Sequence, residues 1–116
     1  MTVNLKRIYN EAYKNDGKRV LIDRVWPRGV SKEKAQLDEW LKEVAPTSDL
    51  RKWFNHDPDK FKEFKKKYKE ELKKNEEQNE AFNQLKDWTS NGKVTLLYAT
   101  KEEKYNHAQV LKDLLT

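Results

Sequence analysis

Short apolar clusters separated by long polar stretches mark the elements of this chain. Val3, Leu5 and Ile8, with Tyr9 beside them, alternate imperfectly with polar residues and predict a first short strand. Asn15-Asp16-Gly17 is a turn signal. Val20-Leu21-Ile22, extended by Val25 and Trp26, is nearly continuous and reads as a strand covered on both faces, ended by Pro27-Arg28-Gly29. Ser31 can cap a short helix over Lys32–Ala35. Leu37, Trp40, Leu41 and Val44 fit a helical face, while residues 39–44 also fit a strand after a short helix. Pro46 stops that element, and Thr47 or Ser48 can cap the next, which carries Leu50, Trp53 and Phe54.

Asn55-His56-Asp57-Pro58 reads as a turn, with Asp57 placed to cap a lysine-rich helix. Phe61, Phe64, Tyr68 and Leu72 recur every three or four residues, a narrow apolar stripe on that helix. Residues 73–79 read as a polar helix–helix connection. Ala81, Phe82, Leu85 and Trp88 form another stripe closed by Asn91-Gly92. Residues 94–99 predict a second buried strand and 101–104 a charged loop. A last helix carries Ala108, Val110, Leu111, Leu114 and Leu115. Strands at both ends with helices between them predict an α/β fold: a small, mostly parallel sheet with helices packed on it. Ligands of such sheets bind beyond the carboxyl ends of the strands. That rule singles out the loops after Trp26 and Ala99, and after Val44 if residues 39–44 form a strand.

Composition narrows the class. At 116 residues the chain fits one domain, 1–116. Charged types make up 39% and hydrophobic types 35%, yet four Trp, four Phe and five Tyr argue for a folded core. No run approaches the ~20 apolar residues of a membrane helix, and the first residues lack the apolar run of a secretion signal. A soluble, cytoplasmic protein is expected. With no Cys, disulfides, thiol nucleophiles and thiolate metal sites are absent, and two distant histidines give no zinc spacing. No metal site is expected and no cofactor is implied. GxxxxGK[ST], GxGxxG and G-x-S-x-G are all missing.

The net charge of +5 resides in one segment. Residues 60–74 hold eight Lys against three Glu, and the rest of the chain balances. This is either a footprint for nucleic acid or lysines solvating an ordinary helix, and the plainer reading is favoured because the segment contains no arginine.

Three constellations carry candidate chemistry. In Asp23-Arg24-Val25-Trp26-Pro27-Arg28-Gly29, charges crowd a strand end, where they are costly unless paired or set in a cleft. Asp23 can hold Arg24 or Arg28 while a guanidinium grips a phosphate or carboxylate; the alternative is a structural ion pair closing a bend. Asn106 and His107 would occupy the first turn of the last helix, where free N–H groups and the dipole favour an anion and a neutral imidazole. The alternative is a capping Asn106 beside a ligand-free His107. In Arg51-Lys52-Trp53-Phe54-Asn55-His56-Asp57-Pro58, His56 and Asp57 are unlikely geometric partners, since adjacent residues rarely face each other, and a loop His beside a capping Asp is the simpler reading. Lys42 and Arg51 flank Pro46 and point into the same crevice if residues 39–44 form a strand.

These blocks resemble a known family. Val20-Leu21-Ile22-Asp23-Arg24-Val25-Trp26-Pro27-Arg28-Gly29 followed by Ser31-Lys32-Glu33 is one block, and Trp40-Leu41-Lys42-Glu43-Val44-Ala45-Pro46 another. Leu50-Arg51-Lys52-Trp53-Phe54, His56-Asp57-Pro58, Thr95-Leu96-Leu97-Tyr98-Ala99 and Asn106-His107-Ala108 complete the pattern. In order, and over nearly the whole chain, they resemble the YeaO-like branch of the domain of unknown function 488 family. The resemblance implies a stand-alone bacterial or archaeal protein without an established biochemical role. Its shared polar positions fall on Asp23, Arg24, Arg28, Lys42, Arg51, His56, Asn106 and His107. Longer relatives carry Cys-His-Arg where this chain has Asn106-His107-Ala108, so cysteine chemistry is not implied here.

The resulting expectation is a crevice that binds a small phosphate- or carboxylate-bearing ligand, with turnover left open and phosphorylated nucleosides or sugars first among candidates. Arg24, Arg28, Lys42 and Arg51 would supply charge, Asp23 would orient an arginine, and Asn106 would give a neutral hydrogen bond. His107 or His56 would move a proton in any catalysis. The rival expectations are a nucleic-acid-binding module using helix 60–74 and a non-catalytic partner protein.

Overall fold

The computed structural model describes residues 2–116. Four strands form one parallel sheet: β1 (Val3–Arg7), β2 (Lys18–Leu21), β3 (Glu39–Trp40) and β4 (Val94–Tyr98), in the order β1-β4-β2-β3. The last strand of the chain is thus inserted between the first two. Its register pairs Leu5 with Leu96 on one side and Val20 with Leu96 on the other. Every residue of β4 is buried, as the apolar run requires of a strand flanked and covered on both sides.

Alternation along the strands divides the interior in two. Val3, Val20, Ile22, Val94, Leu96 and Tyr98 face the main core. That core is closed by α2 (Ser48–Phe54), α3 (Phe61–Lys74), α4 (Glu76–Asn91) and α5 (His107–Leu115). Leu21, Leu97 and Ile8 face a smaller cluster covered by Ala35 of α1 (Lys32–Ala35), Trp26, Val30 and Leu37. Phe61, Phe64, Tyr68 and Leu72 are buried, as their spacing predicts. Among the described residues no helix is long and apolar enough to cross a membrane.

Several boundaries depart from the sequence expectations. β2 ends at Leu21, so Val25 and Trp26 lie beyond it, and Val25 is exposed. Residues 39–44 are neither one strand nor one helix: the two-residue β3 is followed by a 3-10 turn over Lys42–Val44. Residues 73–79 are almost entirely helical, because Asn75 alone separates α3 from α4 and its side chain caps α4 at Gln78 N–H. Thr47, rather than Ser48, caps α2. Asp57 caps a 3-10 turn (Pro58–Lys60) that leads into α3.

Gly17 fixes the entry to β2. Its φ is +70°, and a Cβ there would overlap the Lys93 carbonyl oxygen, which accepts from Lys18 N–H at 3.0 Å. Gly17→Ala is therefore expected to cost about 1–2 kcal/mol, combining disfavoured backbone with displaced pairing. Urea denaturation measures it, and an unchanged midpoint would contradict the steric argument.

Candidate functional site

A crevice of about 540 Å³ opens at the carboxyl ends of the strands. Three loops build its rim: Asp23, Arg24 and Val25 after β2, Ala45 and Pro46 after β3 and its 3-10 turn, and Ala99 and Thr100 after β4. The wall opposite comes from α2 and the turn after it, with Ser48, Arg51, Lys52, Asn55 and His56. Phe54 and Phe64, stacked at 4.2 Å, lie at its apolar base, and Asn106 and His107 close the side at the start of α5. Residues far apart in sequence meet here because parallel strands all end on the same rim.

The rim is held by hydrogen bonds to backbone. Arg24 donates to the carbonyls of Ala45 (3.0 Å) and Pro46 (3.3 Å), clamping the loop after β2 to the loop before α2. Arg7 of β1 donates to Ala99 and Thr100 carbonyls, both at 3.0 Å, and fixes the exit of β4. Tyr68 donates to the Val44 carbonyl. Burial, reinforced by Glu71 and opposed by Arg24, pushes the Tyr68 hydroxyl well above its ordinary range, so it stays a neutral donor. Gln78 adds a bond to the Ala45 carbonyl at 3.1 Å and another to Glu71, whose carboxylate holds Thr47.

Asp23 is not the arginine's orienter. Its Oδ2 accepts from Ala99 N–H at 3.0 Å, and its Oδ1 lies 3.2 Å from His107 Nε2. That approach is an electrostatic contact rather than a well-directed hydrogen bond, since the buried Oδ1 has no aligned donor. Nε2 also lies 3.1 Å from the Ile22 carbonyl oxygen. Arg24 instead serves the carbonyls named above, and Trp40 Nε1 donates to the Asp23 carbonyl at 2.7 Å, pinning that backbone.

The remaining candidates separate cleanly. Arg51 lines the crevice, and among the described residues its guanidinium makes no hydrogen bond or ion pair; Lys52 beside it is equally free. His56 also lines the crevice, at φ +54° immediately after Asn55 at φ +46°. Two consecutive left-handed residues reverse the chain after α2 and bring His56 to the wall. Asp57 is occupied as a cap and does not orient His56. Asn106 is buried, its Oδ1 capping Gln109 N–H and its Nδ2 donating to the Glu102 carbonyl, so its polar atoms are consumed by the fold.

Arg28 and Lys42 are outside the crevice. The Arg28 side chain is exposed, and its carbonyl accepts from Tyr9 at 2.9 Å. Lys42 is exposed over the Trp40 ring at 5.4 Å, because residues 42–44 form a 3-10 turn rather than the strand that would have aimed it inward. Lys52, Ser48, Asn55 and Thr100 were not singled out from the sequence. Arg51 and Lys52 are neighbours in one block, but which face of a short helix meets the sheet is not written in that block. In the lysine-rich α3 and the turn before it, Lys60 and Lys67 lie over the Trp53 ring and Lys65 over Phe61, so part of the charge covers aromatic surface.

A family model described as "Inactive DUF488-N3 subclade" matches residues 2–116. The chain belongs to that subclade. Uncharacterized protein YeaO of Escherichia coli K12 is 40% identical over 115 residues, covering 99% of this chain and 97% of its own. Uncharacterized protein Rv3073c of Mycobacterium tuberculosis H37Rv is 39% identical over 113 residues, covering 97% of this chain and 92% of its own. No solved structure matches. The YeaO-like resemblance read from the sequence blocks is thereby established across the chain.

Proposed function

We propose that this member of the DUF488-N3 subclade binds a small anionic ligand, phosphate- or carboxylate-bearing, in the crevice at the carboxyl ends of the strands. The observation that carries this reading is the imbalance of free charge there. Arg51 and Lys52 have no partner among the described residues, while the single acidic side chain of the lining, Asp23, is engaged with Ala99 N–H and His107. A wall whose exposed cations are left unpaired by the fold favours an anion that offers charge-assisted hydrogen bonds. The family description, which calls the subclade inactive, supports binding without turnover. His107 and His56 then act as hydrogen-bonding groups rather than proton carriers.

A thermal-shift panel of nucleotides, sugar phosphates and carboxylates tests the reading on the wild type and on Arg51→Ala. A ligand at a hundredfold excess over its Kd should stabilise the wild type by about 2.7 kcal/mol. Removing Arg51 should weaken its binding about tenfold or more, the scale of a hydrogen bond to a charged group. No stabilisation by any anion, or equal stabilisation of both proteins, would overturn the proposal.

A further inference from the structure

Two oxygen acceptors surround one nitrogen of His107. Nε2 lies 3.1 Å from the Ile22 carbonyl oxygen and 3.2 Å from Asp23 Oδ1. A carbonyl has no hydrogen to give, and an ionised carboxylate is an acceptor only. The ring hydrogen therefore sits on Nε2. The carboxylate cannot turn away, because Ala99 N–H holds its other oxygen, and the Tyr68 ring stands edge-on to the imidazole at 6.4 Å and 68°. A neutral imidazole fixed in that tautomer keeps its lone pair on Nδ1. Among the described residues nothing donates to Nδ1, although His107 lines the crevice.

The same crevice thus presents opposite demands: unpaired cations at Arg51 and Lys52, and an unpaired acceptor at His107. We infer, resting on the anion reading above, that the ligand is an anion that also carries a hydroxyl or N–H hydrogen. Its phosphate or carboxylate meets Arg51 and Lys52, and its donor is accepted by His107 Nδ1. Hydroxylated phosphate esters and hydroxy acids have both features; simple alkyl phosphates have only the first. His107 is in this sense a specificity residue, with Asp23 and the Ile22 carbonyl as the groups that set its tautomer. An acceptor that the bound ligand covers without offering a donor penalises the wrong ligand more than a good hydrogen bond favours the right one.

The test compares glycerol 3-phosphate with propyl phosphate by titration calorimetry at pH 8, where both are dianions of similar size and only the first carries hydroxyls. Wild-type protein is expected to prefer glycerol 3-phosphate by about fivefold, the equivalent of one neutral hydrogen bond. His107→Leu should bring the two affinities together, and Arg51→Ala should weaken both. Because His107→Leu removes a packed ring, ring-nitrogen NMR of the wild type provides an independent readout. It should show the Nε2–H tautomer, with the Nδ1 resonance moving on addition of glycerol 3-phosphate and not of propyl phosphate. Equal affinities for the wild type, a preference that survives in His107→Leu, or an Nδ1–H tautomer would overturn the inference while leaving the anion site standing. Absence of binding by either phosphate, or binding of both indifferent to Arg51→Ala, would remove the anion site and the inference with it.

Discussion

Arg19→Ala is expected to lower the unfolding free energy by about 3–5 kcal/mol, the scale found when one member of a buried ion pair is removed. Arg19, the second residue of β2, has a side chain only 5% exposed, and its guanidinium meets Asp16 Oδ2 at 2.5 Å. It also donates to the Ala35 carbonyl at 2.8 Å and the Gln36 carbonyl at 3.1 Å, which secures the end of α1 on the sheet. Truncation leaves those carbonyls and the Asp16 carboxylate short of donors, with only Lys6 (3.0 Å) and Tyr13 N–H (3.0 Å) remaining on Asp16.

The pH dependence has a definite sign. Burial alone would raise the Asp16 carboxyl, but the Tyr13 N–H, Lys6 and Arg19 outweigh it and hold it below its ordinary value of 3.8. A carboxyl depressed in the folded state contributes stability that is complete above the unfolded value and is lost as pH falls through the folded one. The wild type should therefore lose this contribution only below about pH 4, and Arg19→Ala should move the acid limb upward, since less opposes the desolvation. Urea midpoints from pH 7 to 2.5 measure both effects. A loss under about 1 kcal/mol would show the pair behaving as a solvated surface contact. The crevice lies at the other end of the strands, so ligand affinity of the folded fraction should not change.

Phe64→Ala is expected to cost about 3–5 kcal/mol as well, but to damage the crevice at the same time. Phe64 is 2% exposed, stacked on Phe54 at 4.2 Å and near Phe61 and Tyr68 at 6.1 and 5.7 Å. Deleting the ring removes its transfer free energy and leaves a void that three aromatic neighbours can fill only partly. Because the same ring lines the crevice, Phe54 and the Arg51–His56 wall lose their support. Anion affinity should fall together with thermal stability, whereas Phe64→Leu should cost about 1 kcal/mol and keep most of the binding. Parallel thermal melts and anion titrations decide the matter. A destabilised Phe64→Ala protein that binds with undiminished affinity would show that the wall does not depend on this ring.

The two substitutions contrast because they act at opposite ends of one sheet, and the sequence displayed those ends unequally. The stripe through Phe61, Phe64, Tyr68 and Leu72 is visible in the spacing alone, since helical period and a single buried face leave no other arrangement. Nothing in the sequence marked Arg19. A buried arginine is recognisable only once three acceptors from other segments surround it.

The family, the parallel α/β character, the buried β4, and the caps at Ser31, Thr47 or its neighbour and Asp57 were legible in the amino-acid pattern. Each is a local or periodic property, fixed by which side of an element is apolar and by short-range hydrogen bonds at its ends. The pattern also pointed to the rim where the crevice opens, because strand direction alone decides where loops gather. Which charges meet there emerged from the packing of the folded chain. Asp23 takes Ala99 N–H and His107 instead of an arginine, Arg24 serves carbonyls, Arg28 and Lys42 stay outside, and Arg51 is left unpaired with Lys52. The partner of a long charged side chain depends on the distance and angle between elements separated by many residues, 85 between Ile22 and His107, and a one-dimensional pattern does not contain that geometry.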